Sequence, residues 1–306
     1  MPAQILVIGS SNTDMVVKTT KLPAPGETVI GGTFLMNPGG KGANQAVAAA
    51  RLSGQVTFVA KVGSDMFGQQ AIDGFRREGI DTCHILTDVG HPSGVALINV
   101  DAHGENCITV APGANAHLQS TDVGAALQTA PPDALVLIQL EIPLATVDYA
   151  IRQAIARGLR VILNPAPAQI LPADLFPNLF LITPNETEAE ILTGIHVTDE
   201  LSAEQAALKL HQMGVANVII TLGAKGAYLH TETSAIIVQA PPVTPVDTTA
   251  AGDCFNGALA VALSEGQTLP EAVTFACWAA SISVARMGAQ ASMPTRNEVN
   301  DRLATA

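Results

Sequence analysis

Residues 5–9 read Ile5-Leu-Val-Ile-Gly9, a run of four apolar residues closed by a glycine. A strand of this kind has no polar face, so it must be covered on both sides, as in a parallel sheet between two helical layers. Further short apolar, β-rich runs occur at 56–60, 135–138, 161–164, 179–183 and 218–221. The repeated pattern predicts an α/β protein.

Helical patterns lie between these strands, at 42–52, 67–78, 143–157 and 203–214, and the chain from Ala251 onward is mainly helical. The alternation predicts a three-layer α/β/α sandwich with a mostly parallel central sheet, in a single domain over residues 1–306. Two pairs of β-rich segments, 14–20 with 28–36 and 94–100 with 106–111, break the pattern. Their connections are too short for parallel crossovers, so they predict a small antiparallel sheet inserted at about 14–36 and 94–111. This sheet either decorates an edge or covers a ligand as a lid.

The composition and charge of the chain argue against several classes of protein, namely nucleic-acid-binding, membrane and zinc proteins. The chain has 306 residues, of which 48% are hydrophobic, and a formal net charge of −12. A surface this acidic repels a polyphosphate backbone, so we expect no nucleic-acid partner. The most apolar stretch, 275–285, is too short to span a bilayer, and the N-terminus lacks the pattern of a secretory signal, which favours a cytoplasmic protein without a membrane partner. The four cysteines are widely spaced and are expected to be free thiols, with no zinc-site spacing.

Residues 247–253 read Asp247-Thr-Thr-Ala-Ala-Gly-Asp253 and lead into an apolar helical run. Small residues before a helix predict a tight turn whose unpaired amides, with the helix dipole, receive an anion. Asp253 would then stand beside a phosphoryl group and accept a proton from an attacking hydroxyl. The same carboxylate could simply cap the helix, and this stretch alone favours the cap.

Two glycine-rich turns carry donors. Residues 38–44 read Pro38-Gly-Gly-Lys-Gly-Ala-Asn44 ahead of a helix, without the Walker A spacing. Lys41 and Asn44 suit hydroxyls or phosphate, although such a turn is often purely structural. Residues 221–226, Thr221-Leu-Gly-Ala-Lys-Gly226, follow a strand and could contact a nucleotide or form an ordinary turn.

Acidic and amide residues follow other strands. Asn185 and Glu188 lie three residues apart, so they could hold a hydrated Mg²⁺ or form a helix capping box. Asn12 and Asp14 follow the first strand, where they could bind hydroxyls or shape a turn. Glu141, after the strand at 135–140, could bind a sugar hydroxyl or face water.

In this order, the motifs resemble those of the PfkB carbohydrate kinase family, from the first strand to the region of Ser292. Residues 39–44 and 247–253 are similar to its two signatures, and Asn185-Glu-Thr-Glu188 is similar to its Asn-x-x-Glu motif. Three motifs together, Asn12-Thr-Asp14, Gly39-Gly-Lys-Gly-Ala-Asn-Gln-Ala46 and Asn164-Pro-Ala-Pro-Ala168, are most similar to the members that act on ribose. The resemblance implies ATP-dependent phosphorylation of D-ribose at the 5-hydroxyl. The alternatives are a family kinase for 2-deoxyribose, fructose or adenosine, or a catalytically silent sugar-binding protein; a Rossmann dehydrogenase is disfavoured because no G-x-G-x-x-G follows the first strand.

The resemblance also implies roles for individual residues. It implies Asp253 as the general base and Ala250, Ala251 and Gly252 as an anion hole. The residues implied for the sugar are Asn12, Asp14, Gly40, Lys41, Asn44, Glu141 and Asp253. Those implied for ATP are Asn185, Thr221, Gly223, Gly226, Gly252 and Cys277, the last standing where a histidine is frequent in the family.

The resemblance further implies two bound cations, Mg²⁺ and K⁺, and a second copy of the chain as a partner. Glu188 is implied to hold Mg²⁺ through water. The positions implied for an activating K⁺ are Asp247, Thr249, Ser283, Arg286, Gly288 and Ser292. Members of the family often pair through their lid sheets, which implies a homodimer.

Overall fold

The computed structural model of this chain describes residues 2–305. In chain order, its strands are β1 (Ile5–Ile8), β2 (Asn12–Lys18), β3 (Thr33–Gly39), β4 (Val56–Gly63), β5 (Ile85–Asp88), β6 (Gly94–Val100), β7 (Asn106–Ala111), β8 (Leu135–Ile138), β9 (Arg160–Leu163), β10 (Leu181–Ile182), β11 (Val218–Thr221), β12 (Ala227–His230) and β13 (Ala235–Val238). Its α-helices are α1 (Lys41–Arg51), α2 (Met66–Arg77), α3 (Ser120–Thr129), α4 (Leu144–Ala156), α5 (Glu186–Thr193), α6 (Glu200–Gln212), α7 (Ala251–Ser264), α8 (Leu269–Val284) and α9 (Arg296–Ala304).

The main sheet has the strand order β13-β12-β11-β10-β9-β8-β1-β4-β5. All six strands expected from apolar runs lie in its parallel part, which confirms the mostly parallel sheet. The sequence did not predict β5 at one edge or the antiparallel strands β12 and β13 at the other. These edge strands are less uniformly buried, so they lack the double-sided apolar pattern of the central ones.

Helices cover both faces of this sheet, which confirms the sandwich. Ile5 and Val7 of β1 point into a core shared with α1, α7 and α8. Leu6 and Ile8, the alternate residues, point into a second core shared with α3, α4 and α6. Because successive side chains of a strand face opposite ways, one four-residue strand contributes to both cores.

Two helices differ from the sequence prediction, one in its start and one in its existence. Helix α6 begins at Glu200, three residues before the predicted start, because the Asp199 carboxylate accepts a hydrogen bond from the Ser202 amide at 2.9 Å. Helix α3 was not predicted. It begins with a bond of 2.9 Å from the Gln119 amide to the Asp122 carboxylate, which is a capping signal without a strong apolar period.

The second sheet has the order β3-β2-β6-β7. Its two hairpins are antiparallel, as predicted, and they join through a parallel pair, β2 with β6. The strand predicted at 28–36 lies instead at Thr33–Gly39, because Gly31 and Gly32 have φ of 112° and 111° and interrupt the extended chain before it. As a result, Asn12 pairs with Gly39 at the end of the sheet nearest the main domain.

The remaining expectations concern membranes and thiols. Within residues 2–305, no helix combines the length and apolarity that a bilayer-spanning segment requires. The four cysteines are free, as expected: Cys83 and Cys107 are exposed, and Cys254 and Cys277 are buried. Burial raises the pKa of both buried thiols to about 12, so they stay protonated and pack as small apolar groups.

Candidate active site

A cleft of about 600 Å³ lies between the carboxyl ends of parallel strands and the N-terminus of α7. Open α/β sheets characteristically place ligand sites at these strand ends. The sequence-predicted residues that line it are Lys41, Asn185, Glu188, Thr221, Gly223, Gly226, Ala250, Ala251, Gly252, Asp253 and Cys277. The fold therefore brings together the phosphoryl, nucleotide and magnesium candidates from five separate parts of the chain.

The N-terminus of α7 forms an open cradle. Ala250, at the N-cap, has a left-handed backbone with φ of 60°, and its carbonyl accepts the Cys254 amide at 2.9 Å. The Ala251 amide donates to Thr248 O at 3.2 Å, so the first-turn amides available to a ligand are those of Gly252 and Asp253. A Cβ built on Gly252 would have no described atom within 4 Å. The space above these amides is therefore open to an anion, which the helix dipole favours.

Asp253 is buried, with 6% of its surface exposed. Its Oδ2 accepts a hydrogen bond from Asn44 Nδ2 and its Oδ1 accepts one from Gln45 Nε2, both at 2.9 Å. Burial raises the pKa of Asp253, against the opposing effects of the Lys41 charge and these two hydrogen bonds. A carboxylate held in this way binds a proton more strongly than a free aspartate, which suits a general base.

Lys41 is the cation of the site. Burial lowers its pKa, but the charges of Asp253, Glu141 and Glu188 outweigh burial and raise the pKa above its ordinary value. Its backbone amide donates to Glu141 Oε2 at 3.0 Å, and Ser10 Oγ donates to the same oxygen at 2.5 Å. The ammonium group therefore stays charged beside the base and at the cleft.

The sugar candidates gather at the base of the second sheet. Burial and the charges of Glu141 and Asp253 raise the pKa of Asp14 to about 6. Asn12 Oδ1 accepts a hydrogen bond of 2.8 Å from Asn115 Nδ2, which orients the Asn12 amide. Gly40, at φ of 89°, allows close approach here, since a Cβ on it would lie 2.8 Å from the Asn12 nitrogen. These carboxylates and amides can accept and donate to several hydroxyls at once.

The Asn185–Glu188 pair forms a capping box at the start of α5. Asn185 Oδ1 accepts the Glu188 amide at 2.8 Å, and Glu188 Oε2 accepts the Asn185 amide at 2.9 Å. Across the described chain, no group of three or more His, Cys, Asp or Glu side chains has the geometry of a metal site. Glu188 lines the cleft, so this pair fits Mg²⁺ held through water better than a cage of direct ligands.

The potassium candidates link the turn before α7 to the loop after α8. Asp247 Oδ1 accepts the Thr249 amide and Oδ2 accepts the Gly288 amide, both at 2.9 Å. Burial raises the pKa of Asp247, but these hydrogen bonds prevail and lower it. The Ser283 and Ser292 hydroxyls donate to backbone carbonyls and keep oxygen lone pairs. The Arg286 guanidinium is a cation without acceptor atoms and pairs with Glu298, so Arg286 could bind K⁺ only through its backbone carbonyl.

Sequence reasoning missed three parts of the site. The run Ala240-Pro-Pro-Val-Thr-Pro245 forms one wall of the cleft, and Ala280, Ser281 and Val284 extend the face of α8 that carries Cys277. Three prolines after the last strand signalled a rigid extended segment. The buried amides Gln45, Gln139 and Asn164 lie behind Asp253. The motifs contain Asn164 and Gln45, but the sequence assigned no role in the site to any of the three.

Comparisons with known proteins agree with this geometry. The family described as pfkB family carbohydrate kinase matches residues 2–296. The ribokinase of Haemophilus influenzae is 47% identical over 299 residues, which cover 97% of each chain. The ribokinase of Bacillus subtilis is 44% identical over 98% of this chain and 99% of its own.

Among solved structures, that of Arabidopsis thaliana ribokinase complexed with ribose and ATP superposes with a TM-score of 0.91. It is 33% identical to this chain, and the match covers 99% of both chains. The match therefore includes both sheets and the residues that line the cleft.

Proposed function

The chain belongs to the pfkB family of carbohydrate kinases, and on this basis we propose that it transfers the γ-phosphoryl group of ATP to the 5-hydroxyl of D-ribose. The observation that carries the proposal is the buried Asp253 carboxylate beside the open amides of α7. A base and an anion cradle on one helical turn are the two parts that phosphoryl transfer to an alcohol requires.

In the proposed reaction, Asp253 accepts the proton of the 5-hydroxyl as the sugar oxygen forms its bond to the γ-phosphorus. The bond from that phosphorus to the bridging oxygen breaks, and ADP leaves. The amide of Ala250 and the open first-turn amides of Gly252 and Asp253, with the Lys41 ammonium, stabilise the charge on the transferring group. The Ala251 amide, which the sequence also predicted for the anion hole, already donates to Thr248 O at 3.2 Å. Each preorganised donor of this kind contributes about 3–4 kcal/mol to lowering a barrier.

The sugar and the nucleotide occupy opposite sides of Asp253. Asn12, Asp14, Gly40, Lys41, Asn44 and Glu141 bind the ribose hydroxyls, with the second sheet as a lid in a single kinase domain. Asn185, Thr221, Gly223, Gly226, Gly252 and Cys277 contact ATP, and the apolar face of α8 packs against the adenine. Bound Mg²⁺ would neutralise phosphate charge, and Glu188 would hold it through water.

A sugar panel tests the proposed function. D-ribose, 2-deoxyribose, fructose and adenosine are each offered with Mg-ATP, and ADP release is followed with product identification by phosphorus NMR. We expect D-ribose to have the highest kcat/KM and 2-deoxyribose to fall about tenfold to a hundredfold, because a missing hydroxyl leaves a buried polar group unpaired. Equal turnover of another sugar would contradict the proposed substrate, and no turnover of any would favour the silent sugar-binding alternative.

We also propose that K⁺ activates the enzyme at Asp247, Thr249, Ser283, Gly288, Ser292 and the carbonyl of Arg286. Replacing K⁺ with tetramethylammonium at constant ionic strength should lower kcat about tenfold, because the cation orders the turn that carries the amide cradle. Such a loss corresponds to about 1.4 kcal/mol of barrier. Initial rates over a K⁺ titration measure the effect, and Asp247→Ala should remove the response. A wild-type rate independent of K⁺ would refute this site.

We propose that a homodimer forms through the lid sheets. The lid face that carries Asp14 also exposes Leu35, Ile108 and Val110, a continuous apolar surface that a second copy would cover. Ile108→Asp should therefore give a monomer in sedimentation velocity while the wild type sediments as a dimer. Val89→Asp is the matched control, because Val89, directly after β5, is 90% exposed and lies outside the lid sheet. Dimers of the Ile108 variant would rule out this interface.

The cytoplasm is the compartment we propose for the protein. Free thiols at the exposed Cys83 and Cys107 suit a reducing environment. ATP and a phosphorylated sugar product also suit that compartment. The partners are then the small-molecule substrates and a second copy of the chain, with no nucleic acid or membrane.

A further inference from the structure

Three buried amide side chains, those of Gln139, Gln45 and Asn164, form a chain behind the Asp253 carboxylate. Gln139 Nε2 donates to Gln45 Oε1 at 2.6 Å. Gln45 Nε2 then donates to Asp253 Oδ1 and to Asn164 Oδ1, each at 2.9 Å. Gln45 and Gln139 are fully buried, so water does not compete for these bonds.

The direction of the chain is set by one backbone carbonyl. Asn164 Nδ2 donates to the carbonyl oxygen of Thr183 at 3.3 Å, and a carbonyl can only accept. Asn164 must therefore present its oxygen to Gln45, which in turn presents its NH₂ group. Both hydrogens of that group are used, one on Asn164 and one on Asp253, and the Gln45 oxygen is left facing Gln139.

We propose that Gln45 is a positioning residue for phosphoryl transfer, which holds the Asp253 carboxylate in the orientation that receives the proton of the sugar hydroxyl, and that Gln139 acts through Gln45. Asn44 Nδ2 binds the other carboxylate oxygen at 2.9 Å, so two donors on different oxygens fix the plane of the group. With the Asn44 bond alone, the carboxylate could rotate about its Cβ–Cγ bond. The inference rests on the proposed function, because it assigns Asp253 the role of base.

The position of Gln139 supports this role. Its Oε1 is buried and has no hydrogen-bond partner within residues 2–305. The oxygen packs against Gly9, where an added Cβ would overlap it. Burying an unpaired oxygen costs free energy that an apolar side chain at this position would not cost. The amide is therefore favourable here only through its NH₂ group, which orients Gln45.

The charges around Asp253 define the expected pH response. The charges of Lys41 on α1 and Glu141 after β8 shift the pKa of Asp253. The charge of Asp253 in turn raises the pKa of Asp14 on β2 and of Glu188 on α5. The Gln45 hydrogen bond lowers the pKa of Asp253, so its loss raises that pKa. A base with a higher pKa is protonated to a higher pH, and the acid limb of the kcat profile should move upward.

The test compares Gln45→Met, Gln139→Met, the double variant and Thr57→Val with the wild type. Methionine keeps the length of the side chain and removes its donors. We expect Gln45→Met to lower kcat about tenfold to a hundredfold, since small misplacements of a catalytic group have effects of this size. The KM for ribose should change less than about threefold, and the acid limb should move to higher pH. Gln139→Met should lower kcat less, and the double variant should be no slower than Gln45→Met.

Thr57→Val controls for loss of a buried hydrogen bond. Thr57 is buried on β4 and accepts from Gln4 Nε2 at 2.8 Å, away from the cleft, so its variant should keep the wild-type kcat. A wild-type kcat in Gln45→Met, or effects of the two glutamine variants that simply multiply, would overturn the inference while leaving the kinase activity intact. An inactive wild type would overturn the proposed function and the inference together.

Discussion

Asp253→Asn should abolish phosphoryl transfer while ribose binding remains measurable. An asparagine fills nearly the same volume but cannot accept the proton of the 5-hydroxyl, so we expect kcat to fall at least about 10³-fold, within the range for loss of a general base. ADP release measures the rate, and calorimetric titration with ribose measures binding. The other polar groups at the base of the lid sheet are unchanged, so the affinity for ribose should change much less than the rate.

Asp73→Asn provides the control for the chemical change itself. Asp73 lies on α2 with half of its side chain exposed, and its variant should match the wild type in both rate and binding. Near-normal turnover by Asp253→Asn would mean that another group accepts the proton, and the assignment of the base would be wrong.

The stability of Asp253→Asn separates lost chemistry from lost structure. Burial raises the pKa of Asp253 in the folded protein above the value of an unfolded aspartate, so the ionised carboxylate destabilises the fold as pH rises from the unfolded pKa through the folded one. Asparagine carries no such charge, but its NH₂ group replaces one carboxylate oxygen and loses the buried hydrogen bond from Asn44 or Gln45. The two effects oppose each other, so at pH 7 the variant should melt within about 5 °C of the wild type, and thermal unfolding followed by circular dichroism checks this.

The sequence predicts the central sheet well because its strands are apolar on both faces, as Leu135-Val-Leu-Ile138 illustrates. It predicts the edges poorly, since Ala235–Val238 is half-exposed and resembles many surface segments. The start of β3 was misplaced because two glycines, Gly31 and Gly32, interrupt a stretch whose β-forming residues begin earlier.

The site divides along similar lines. Turns such as Asp247-Thr-Thr-Ala-Ala-Gly-Asp253 can be recognised from their small and acidic residues, and the structure places these turns around one cleft. The bond between Asn44 and Asp253 joins residues 209 positions apart, and no local pattern reports such a separation. A buried glutamine has no periodic pattern in the sequence, so the contact between Gln45 on α1 and Gln139 after β8 is visible only in the folded structure.

Gly252→Val should block the same reaction by preventing the approach of the γ-phosphate of ATP. Gly252 lies in the first turn of α7 with an ordinary helical backbone, and an added Cβ would have no described atom within 4 Å. Valine should therefore fold without strain and project into the space where the γ-phosphate must approach. We expect kcat/KM for ATP to fall at least about a hundredfold, as when an anion-stabilising donor is lost, with little change in melting temperature.

Gly74→Val is the matched control, because Gly74 lies in α2 and the nearest atom to its added Cβ is a flexible Arg77 nitrogen at 3.9 Å. Equal ATP turnover by the two valine variants would show that the phosphate does not approach Gly252.

The Asp253→Asn and Gly252→Val variants also test different steps. Asp253→Asn should still bind both substrates, whereas Gly252→Val should bind ribose and exclude the terminal phosphate of ATP. The two substitutions are at adjacent residues of one turn, and each should abolish a different step. A general loss of structure at the site would abolish both steps in both variants, so it would not give this pair of results.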